Sequence, residues 1–128
     1  MQAPTRINLH RSSKILELQY GTDIYQLSCE FLRVHSPSAE VKGHGPGQEV
    51  LQFGKQHVGI SDIQSAGNYA LQFTFDDGHD SGIYSWDYLR KLCLEQDELW
   101  NQYLERLHQA GKRRDPNEQA VQLIDPKG

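Results

Sequence analysis

The sequence has little of several features that would point directly to a function. Two cysteines in 128 residues, Cys29 and Cys93, are too few and too widely separated for a disulfide scaffold, and each is interpreted as a small buried hydrophobic residue. No apolar run approaches the length of a membrane span, and the first residues lack the apolar core of a signal peptide. We therefore expect a cytoplasmic protein that does not act in the membrane.

Positive charge is also scarce, because 13 Lys and Arg face 17 Asp and Glu, a net charge of −4. This balance lacks the basic patch of a nucleic-acid-binding protein, and the Lys-Arg-Arg run at 112–114 is too short to supply one. The length and the hydrophobic content of 37% are typical of one ordinary globular domain. We predict a single domain over 1–111 and a flexible tail over 112–128.

The first part of the chain predicts a hairpin followed by a helix. Ile7 and Leu9 indicate one strand, and the apolar residues of 15–18 indicate a second strand that ends at Gly21. Apolar residues at helical spacing over 24–32 then predict a short helix, with Asp23 as its N-cap.

Glycine and proline dominate the next stretch. Pro37 is expected to stop the short helix. The stretch 39–55 contains four glycines and one proline, so it is interpreted as a long loop, a type of segment that is often functional.

The second half predicts two strands, a short return strand and a long helix. Val58, Ile60 and Ile63 indicate a strand, and the strict alternation over 69–75 is the strongest strand signal in the chain. A short return strand is expected over 80–84.

Apolar residues spaced three and four apart predict a helix over 87–110, which Ser85 begins and Gly111 ends. The predicted fold class is therefore α+β, with a small, mainly antiparallel sheet packed against a short helix and one long C-terminal helix.

The stretch Phe-Asp-Asp-Gly-His-Asp-Ser-Gly lies between the last two strands. Asp77-Gly78 is a strong signal for a tight hairpin turn, so Asp76, Asp77 and Asp80 are interpreted as turn and solvent residues. Ser81 lies early in the predicted return strand and matches no G-x-S-x-G motif, so triad chemistry is not favoured.

His79 in this stretch is either a surface residue or a metal ligand. Its candidate partners for zinc or iron are Cys29, His35 and His44. No two of these have a tight ligand spacing, so the local signal for a metal site is weak.

The run Gly-His-Gly-Pro-Gly-Gln at 43–48 lacks the lysine and the serine or threonine of a phosphate-binding loop. Its glycines and proline are interpreted as shaping the backbone, and His44 and Gln48 as pinning the loop or contacting a partner. For Trp86, Tyr88 and Trp100, the core interpretation is favoured over an exposed role. The predicted contact surface for a protein partner consists of His44, Pro46, Gln48, His79, Tyr84 and Trp86.

Two motifs together resemble a known family. The segments LRVHSPSAEVKGHGPGQ (32–48) and GNYALQFTFDDGHDSGIYSWDYL (67–89) are similar to the gamma-butyrobetaine-hydroxylase-like N-terminal domain, and the likeness extends roughly over 7–107. In the hydroxylases, this module precedes a catalytic domain that uses iron and 2-oxoglutarate. In other proteins, a similar module is fused to Mrp-type P-loop ATPases that act as iron–sulfur carriers.

The resemblance also implies a structural zinc held by one histidine and three cysteines. The histidine maps onto His79, whereas the cysteine positions fall in the region of Ser36, Ser38 and Val41. Zinc binding is therefore not carried over to this chain, and neither is catalysis, which belongs to the domain that follows in the hydroxylases.

The residues and the resemblance together leave two main hypotheses, and a third, an enzyme acting on a small molecule at the same loops, is placed last. The first is a non-enzymatic interaction or accessory module with an unidentified protein partner, connected by analogy to iron–sulfur or metal-enzyme systems. The alternative is a zinc- or iron-binding protein that uses His79 with ligands other than those of the family. A metal cofactor is expected only under this alternative.

Overall fold

The computed structural model describes residues 2–117 as an α+β fold with six strands and four helices. The elements in chain order are β1 (Arg6–His10), β2 (Ile15–Tyr20), β3 (Asp23–Ser28), α1 (Cys29–Val34), α2 (Ala39–Lys42), β4 (Ile60–Ala66), β5 (Ala70–Phe75), β6 (Ile83–Ser85), α3 (Trp86–Leu94) and α4 (Gln96–Ala110). The predicted fold class is confirmed. The strands form two three-stranded antiparallel sheets, β1-β2-β3 and β4-β5-β6.

The first sheet confirms the predicted hairpin and corrects the element that follows it. β1 and β2 pair as expected, but the segment predicted as the start of a helix is the strand β3. Gly21, with a φ of 62°, allows a tight turn in which Tyr20 pairs with Asp23, so Asp23 begins a strand instead of capping a helix. The true cap of α1 is Ser28, whose Oγ accepts a hydrogen bond from Phe31 N at 3.0 Å.

The second sheet is formed by the predicted strands. Alternate residues of β5 (Leu71, Phe73 and Phe75) are buried in the core, which explains the alternation in the sequence. The return strand β6 has only three residues and begins later than the predicted 80–84.

The predicted long helix is divided into α3 and α4. Glu95 leaves the helical region, with φ −108° and ψ 18°, at the point where Gln96 and Asp97 interrupt the apolar stripe. The predicted ends are confirmed, since Ser85 caps α3 with its side chain and Gly111 ends α4 in the left-handed conformation. The division lets each half turn its own apolar face to the protein.

Two apolar clusters stabilise the fold. The larger cluster combines residues of both sheets with residues of α1 and α3, and the smaller one consists of Val34, Tyr103 and Leu107. Trp100 packs against both clusters. Within residues 2–117, no helix has the length and apolar character needed to cross a membrane.

The first residues of the predicted tail, 112–117, make contacts with the rest of the domain. Arg113 O accepts a hydrogen bond from Gly54 N at 2.9 Å. The Arg114 guanidinium donates to both carboxylate oxygens of the buried Glu30, at 2.9 and 2.8 Å. The rest of the predicted tail, 118–128, lies outside the described residues.

Candidate functional site

The hairpin between β5 and β6 turns where the sequence predicted. Gly78 N donates to Phe75 O at 3.0 Å, and Phe75 N donates to His79 O at 2.9 Å. Gly78 has a φ of 92°, which favours glycine at this position. The turn presents the side chains of Asp77 and His79 to the segment that contains α1 and α2.

Asp77 lies in the turn on the exposed hairpin tip, as predicted, and in addition its carboxylate forms ion pairs. Its Oδ2 accepts hydrogen bonds from Arg33 Nε at 2.9 Å and from Lys55 Nζ at 2.7 Å, and its side chain is 19% exposed. Burial alone would raise the pKa of this carboxyl, but hydrogen bonds from Lys55, from the backbone N–H of His79 and from Arg33 lower it to about 2. Asp77 therefore ties the hairpin tip to α1.

His79 is buried against two serines, an arrangement that we call the histidine lock (Ser36, Ser38, Glu40 and His79). His79 Nε2 lies 2.8 Å from Ser36 Oγ and 3.4 Å from Ser38 Oγ, and its Nδ1 lies 3.4 Å from a Glu40 carboxylate oxygen. The His79 side chain is 7% exposed. Burial, followed by the nearby positive charge of Arg33, lowers the pKa of His79, which favours the neutral ring.

Two neighbours of the lock explain local features of the sequence. A Cβ atom at Gly82, just before β6, would overlap Ser36 Oγ and lie 3.2 Å from Pro37 Cδ. The backbone can approach the serine this closely only because residue 82 is glycine. Ser81 Oγ donates to Glu40 at 2.7 Å and thereby orients the carboxylate that faces His79.

The contacts from Ser36 to His79 and from His79 to Glu40 have the same arrangement as a serine–histidine–acid triad. A nucleophilic serine must reach a substrate carbonyl, and Ser36 is only 1% exposed. The hydrogen bonds of the lock therefore suit a structural joint between the hairpin and α2 better than nucleophilic catalysis.

The four candidate metal ligands do not come together. Cys29 is fully buried in the core, where burial raises its pKa. His35 Nδ1 lies 2.9 Å from Phe31 O inside α1, and His44 lies exposed on the glycine-rich loop. Within 2–117, no group of three or more His, Cys, Asp or Glu side chains is placed to hold a metal ion.

The glycine-rich loop begins after the short helix α2, which was not predicted, and its two ends are joined by a backbone hydrogen bond. Val50 N donates to Val41 O at 2.8 Å, which joins the two ends of the loop. Inside it, Gln48 N donates to Gly45 O at 3.0 Å. Gly43 has a φ of 75°, and a Cβ atom there would overlap Gln48 O, so this position requires glycine.

Beside this loop is a pocket of about 560 Å³, which we call the cationic cleft. Its lining comes from the end of α1, the loop, α3 and α4: Val34, His35, Ser36, Val41, Lys42, Gly43, His44, Gly45, Pro46, Glu49, Val50, Tyr88, Lys91 and Arg106. Lys42, Lys91 and Arg106 make no ion pair with any residue of 2–117, and Glu49 is the one acidic residue of the lining. The cleft thus has an excess of positive charge on an acidic protein.

Tyr88 and His35 contribute to the wall of the cleft. Tyr88 Oη donates to His35 O at 2.6 Å, and Lys42 Nζ lies 5.2 Å from the centre of the Tyr88 ring. Burial lowers the pKa of His35, and the positive charges of Arg106 and Lys91 lower it further. These charges therefore act on the inner wall of the cleft.

The residues predicted to contact a partner are divided between different environments. His44 and Pro46 line the cleft, and Gln48 lies on the same loop. Tyr84 is fully buried, with its Oη bonded to Leu32 O at 2.6 Å, and Trp86 packs partly buried against the core, as favoured from the sequence. His79 belongs to the lock.

Sequence reasoning missed the three cations of the cleft. Lys42, Lys91 and Arg106 come from α2, α3 and α4 and form no local cluster in the sequence. Lys91 and Arg106 are also 15 positions apart, which is about 22 Å along a straight helix. The break at Glu95 interrupts the helix between them, and both line the same pocket.

The two sheets, the locked hairpin and the adjoining loop define a compact α+β module. The chain belongs to the gamma-butyrobetaine hydroxylase-like N-terminal domain family, whose profile matches residues 7–90. No curated protein matches the sequence.

Solved structures show the same fold. One NMR solution structure is 55% identical, with a TM-score of 0.82, and covers 98% of this chain and 99% of its own. A second is 42% identical, with a TM-score of 0.77, over 100% of this chain and 95% of its own. A crystal structure of a DUF971-family protein of unknown function from Acidithiobacillus ferrooxidans is 33% identical, with a TM-score of 0.58, over 70% of this chain and 90% of its own.

Proposed function

We propose that the domain is a non-catalytic interaction module that docks an acidic segment of a partner protein in the cationic cleft. The observation that carries this proposal is the set of three cations without ion-pair partners in residues 2–117, Lys42, Lys91 and Arg106, around one pocket. Similar modules are joined to iron–sulfur carriers or to iron-dependent catalytic domains. By analogy with them, the proposed partner belongs to an iron–sulfur or metal-enzyme system.

Charge complementarity selects an acidic occupant. Clustered cations repel one another, so carboxylates of a partner that neutralise them are attracted and oriented. The protein as a whole carries a net charge of −4, so the excess of positive charge at the cleft is a local feature.

The rim of the cleft suits a peptide segment. Pro46 and Val50 are exposed beside the cations, and Val50 is 51% exposed, so a bound segment finds apolar contacts next to the charges. The loop that carries them is closed at its base, which limits the entropy lost on binding.

The test is fluorescence anisotropy with a labelled hexaglutamate peptide, compared with hexaglutamine. We expect saturable binding of the acidic peptide alone, weakened by rising salt. The double substitution Lys91→Glu with Arg106→Glu should weaken it at least about tenfold, since two attractions become repulsions.

Arg6→Glu, which reverses one charge, is the control for the single substitution Lys91→Glu, because Arg6 is exposed on β1 and does not line the cleft. It should leave the affinity nearly unchanged. Equal weakening by the control and by Lys91→Glu, or equal binding of both peptides, would refute the proposal.

A further inference from the structure

The zinc that the family resemblance implies does not fit the residues of this chain. Ser36, Ser38 and Val41 stand where the resemblance places three cysteines. Two neutral hydroxyls and an isopropyl group do not replace thiolate ligands for zinc. The one remaining donor of that set, His79 Nε2, is already occupied by hydrogen bonds to the two serines.

The distance between His79 and Ser36 also leaves no room for a zinc ion between these two side chains. With bonds of about 2.0 Å to nitrogen and 2.3 Å to sulfur, two donors of a tetrahedral zinc lie roughly 3.5 Å apart. His79 Nε2 and Ser36 Oγ are 2.8 Å apart, which is the length of a direct hydrogen bond.

We propose that the histidine lock replaces a metal centre: Ser36 and Ser38 bind His79 directly, so that this chain holds the hairpin on α2 without zinc. This inference does not rest on the proposed docking, although Ser36 and Val41 also line the cleft. Its subject is how the fold is held together and which cofactor it needs.

The hydrogen bonds of the lock form a consistent set for a neutral histidine. The tautomer with its proton on Nδ1 lets Ser36 Oγ–H donate to Nε2 and lets Nδ1–H point to Glu40. Ser38 N donates to Ser36 Oγ at 3.3 Å, which brings positions 36 and 38 to the same nitrogen.

Burial gives these hydrogen bonds their weight. Ser36 is 1% exposed, Ser38 is 7% exposed and the side chain of His79 is 7% exposed. Water cannot readily take over the role of a lost partner in such a site, so each deletion leaves a buried polar group unsatisfied.

The first experiment measures metal content and thermal unfolding of the wild-type chain, made without a histidine tag. After dialysis against EDTA, we expect no stoichiometric metal and the same Tm with or without added zinc. About one zinc per chain, lost in His79→Ala, would overturn the proposal.

The second experiment asks whether the lock lies at the position of a metal centre. The variant Ser36→Cys, Ser38→Cys, Val41→Cys should bind about one zinc per chain through three thiolates and His79, and zinc should raise its Tm by several degrees. Addition of His79→Ala to this variant should weaken zinc binding. A folded triple variant that takes up no zinc would contradict the placement of the lock.

The third experiment does not depend on the folding of the triple variant. His79→Ala and Ser36→Ala should each lower the Tm by roughly 5–10 °C, and by the same amount in EDTA and in zinc. A loss seen only in zinc would show that a metal, and not the hydrogen bonds, holds the joint.

Discussion

Two neighbouring polar regions, which meet at Ser36, have opposite character. On one side, in the histidine lock, Ser36, His79 and Glu40 all have hydrogen-bonding partners. On the other side, in the cationic cleft, Lys42 is one of three cations without an acidic partner among the described residues. Matched polar groups stabilise a buried joint, whereas unmatched charge contributes little to the fold and is available to a partner.

This comparison predicts that substitutions in the lock act on stability and substitutions in the cleft act on binding. Three experiments test it, from the largest expected effect on the free energy of unfolding to the smallest.

Gly82→Ala should break the lock. The new methyl group would overlap Ser36 Oγ and press on Pro37 Cδ, so the strand or the serine must move and the hydrogen bond to His79 is lost. We expect a loss of roughly 2–4 kcal/mol in urea unfolding. Gly45→Ala is the control, because a Cβ atom there meets nothing within 4 Å; an equal loss in both variants would contradict the role of the close approach.

Asp77→Asn should remove the ion pairs of Asp77 with Arg33 and Lys55, which connect the hairpin to the rest of the domain. The dependence of stability on pH that Asp77 causes should be lost with them. The folded pKa of about 2 is below the ordinary aspartate value of 3.8, so Asp77 contributes stability above the unfolded pKa, and this contribution is lost as the pH falls from about 3.8 to about 2. Because the side chain is partly exposed to solvent, we expect a loss of only about 1–2 kcal/mol at neutral pH.

The pH dependence of Asp77→Asn distinguishes an ion pair from a simple packing effect. Unfolding curves of the wild type and the variant should converge as the pH approaches 2. Asp76→Asn is the matched control, since Asp76 is exposed and makes no ion pair within 2–117. A constant difference between wild type and Asp77→Asn at all pH values would show that charge is not involved.

The double substitution Lys91→Glu with Arg106→Glu should leave the free energy of unfolding within about 0.5 kcal/mol of the wild type. In the free protein, this double substitution should change the pKa of His35, which Lys91 and Arg106 lower in the wild type. We therefore expect the pKa of His35 to rise in an NMR titration, and an unchanged pKa would show that the cations do not act on the wall of the cleft.

The sequence was sufficient for elements defined by local signals. The alternation of β5, the cap at Ser85 and the stop at Gly111 depend on neighbouring residues, and the structure confirms them. The strand β3 was mistaken for a helix because Ile24, Leu27 and Phe31 fit a helical period. The turn at Gly21 was the signal that should have ended that interpretation.

The candidate site was predictable only in part, because its chemistry depends on distant contacts. The prediction placed the turn before His79 correctly, but it could not show that Ser36, 43 positions earlier, meets its ring. The same holds for Asp77, whose partner Arg33 is 44 positions away. Pairing across such separations is determined by the packing of α1 and α2 on the second sheet, which no local pattern specifies.

The division of the long helix at Glu95 has a consequence for the cooperativity of unfolding. The distal turns of α4 are stabilised by the small cluster of Val34, Tyr103 and Leu107. The segment after Gly111 also holds them in place, through backbone hydrogen bonds to the rest of the domain. The first two turns of α4 also contact the main core, through Leu99 and Trp100. We therefore expect the turns after Trp100 to open without global unfolding, and their amide protons to exchange with solvent sooner than those of β2 and β5.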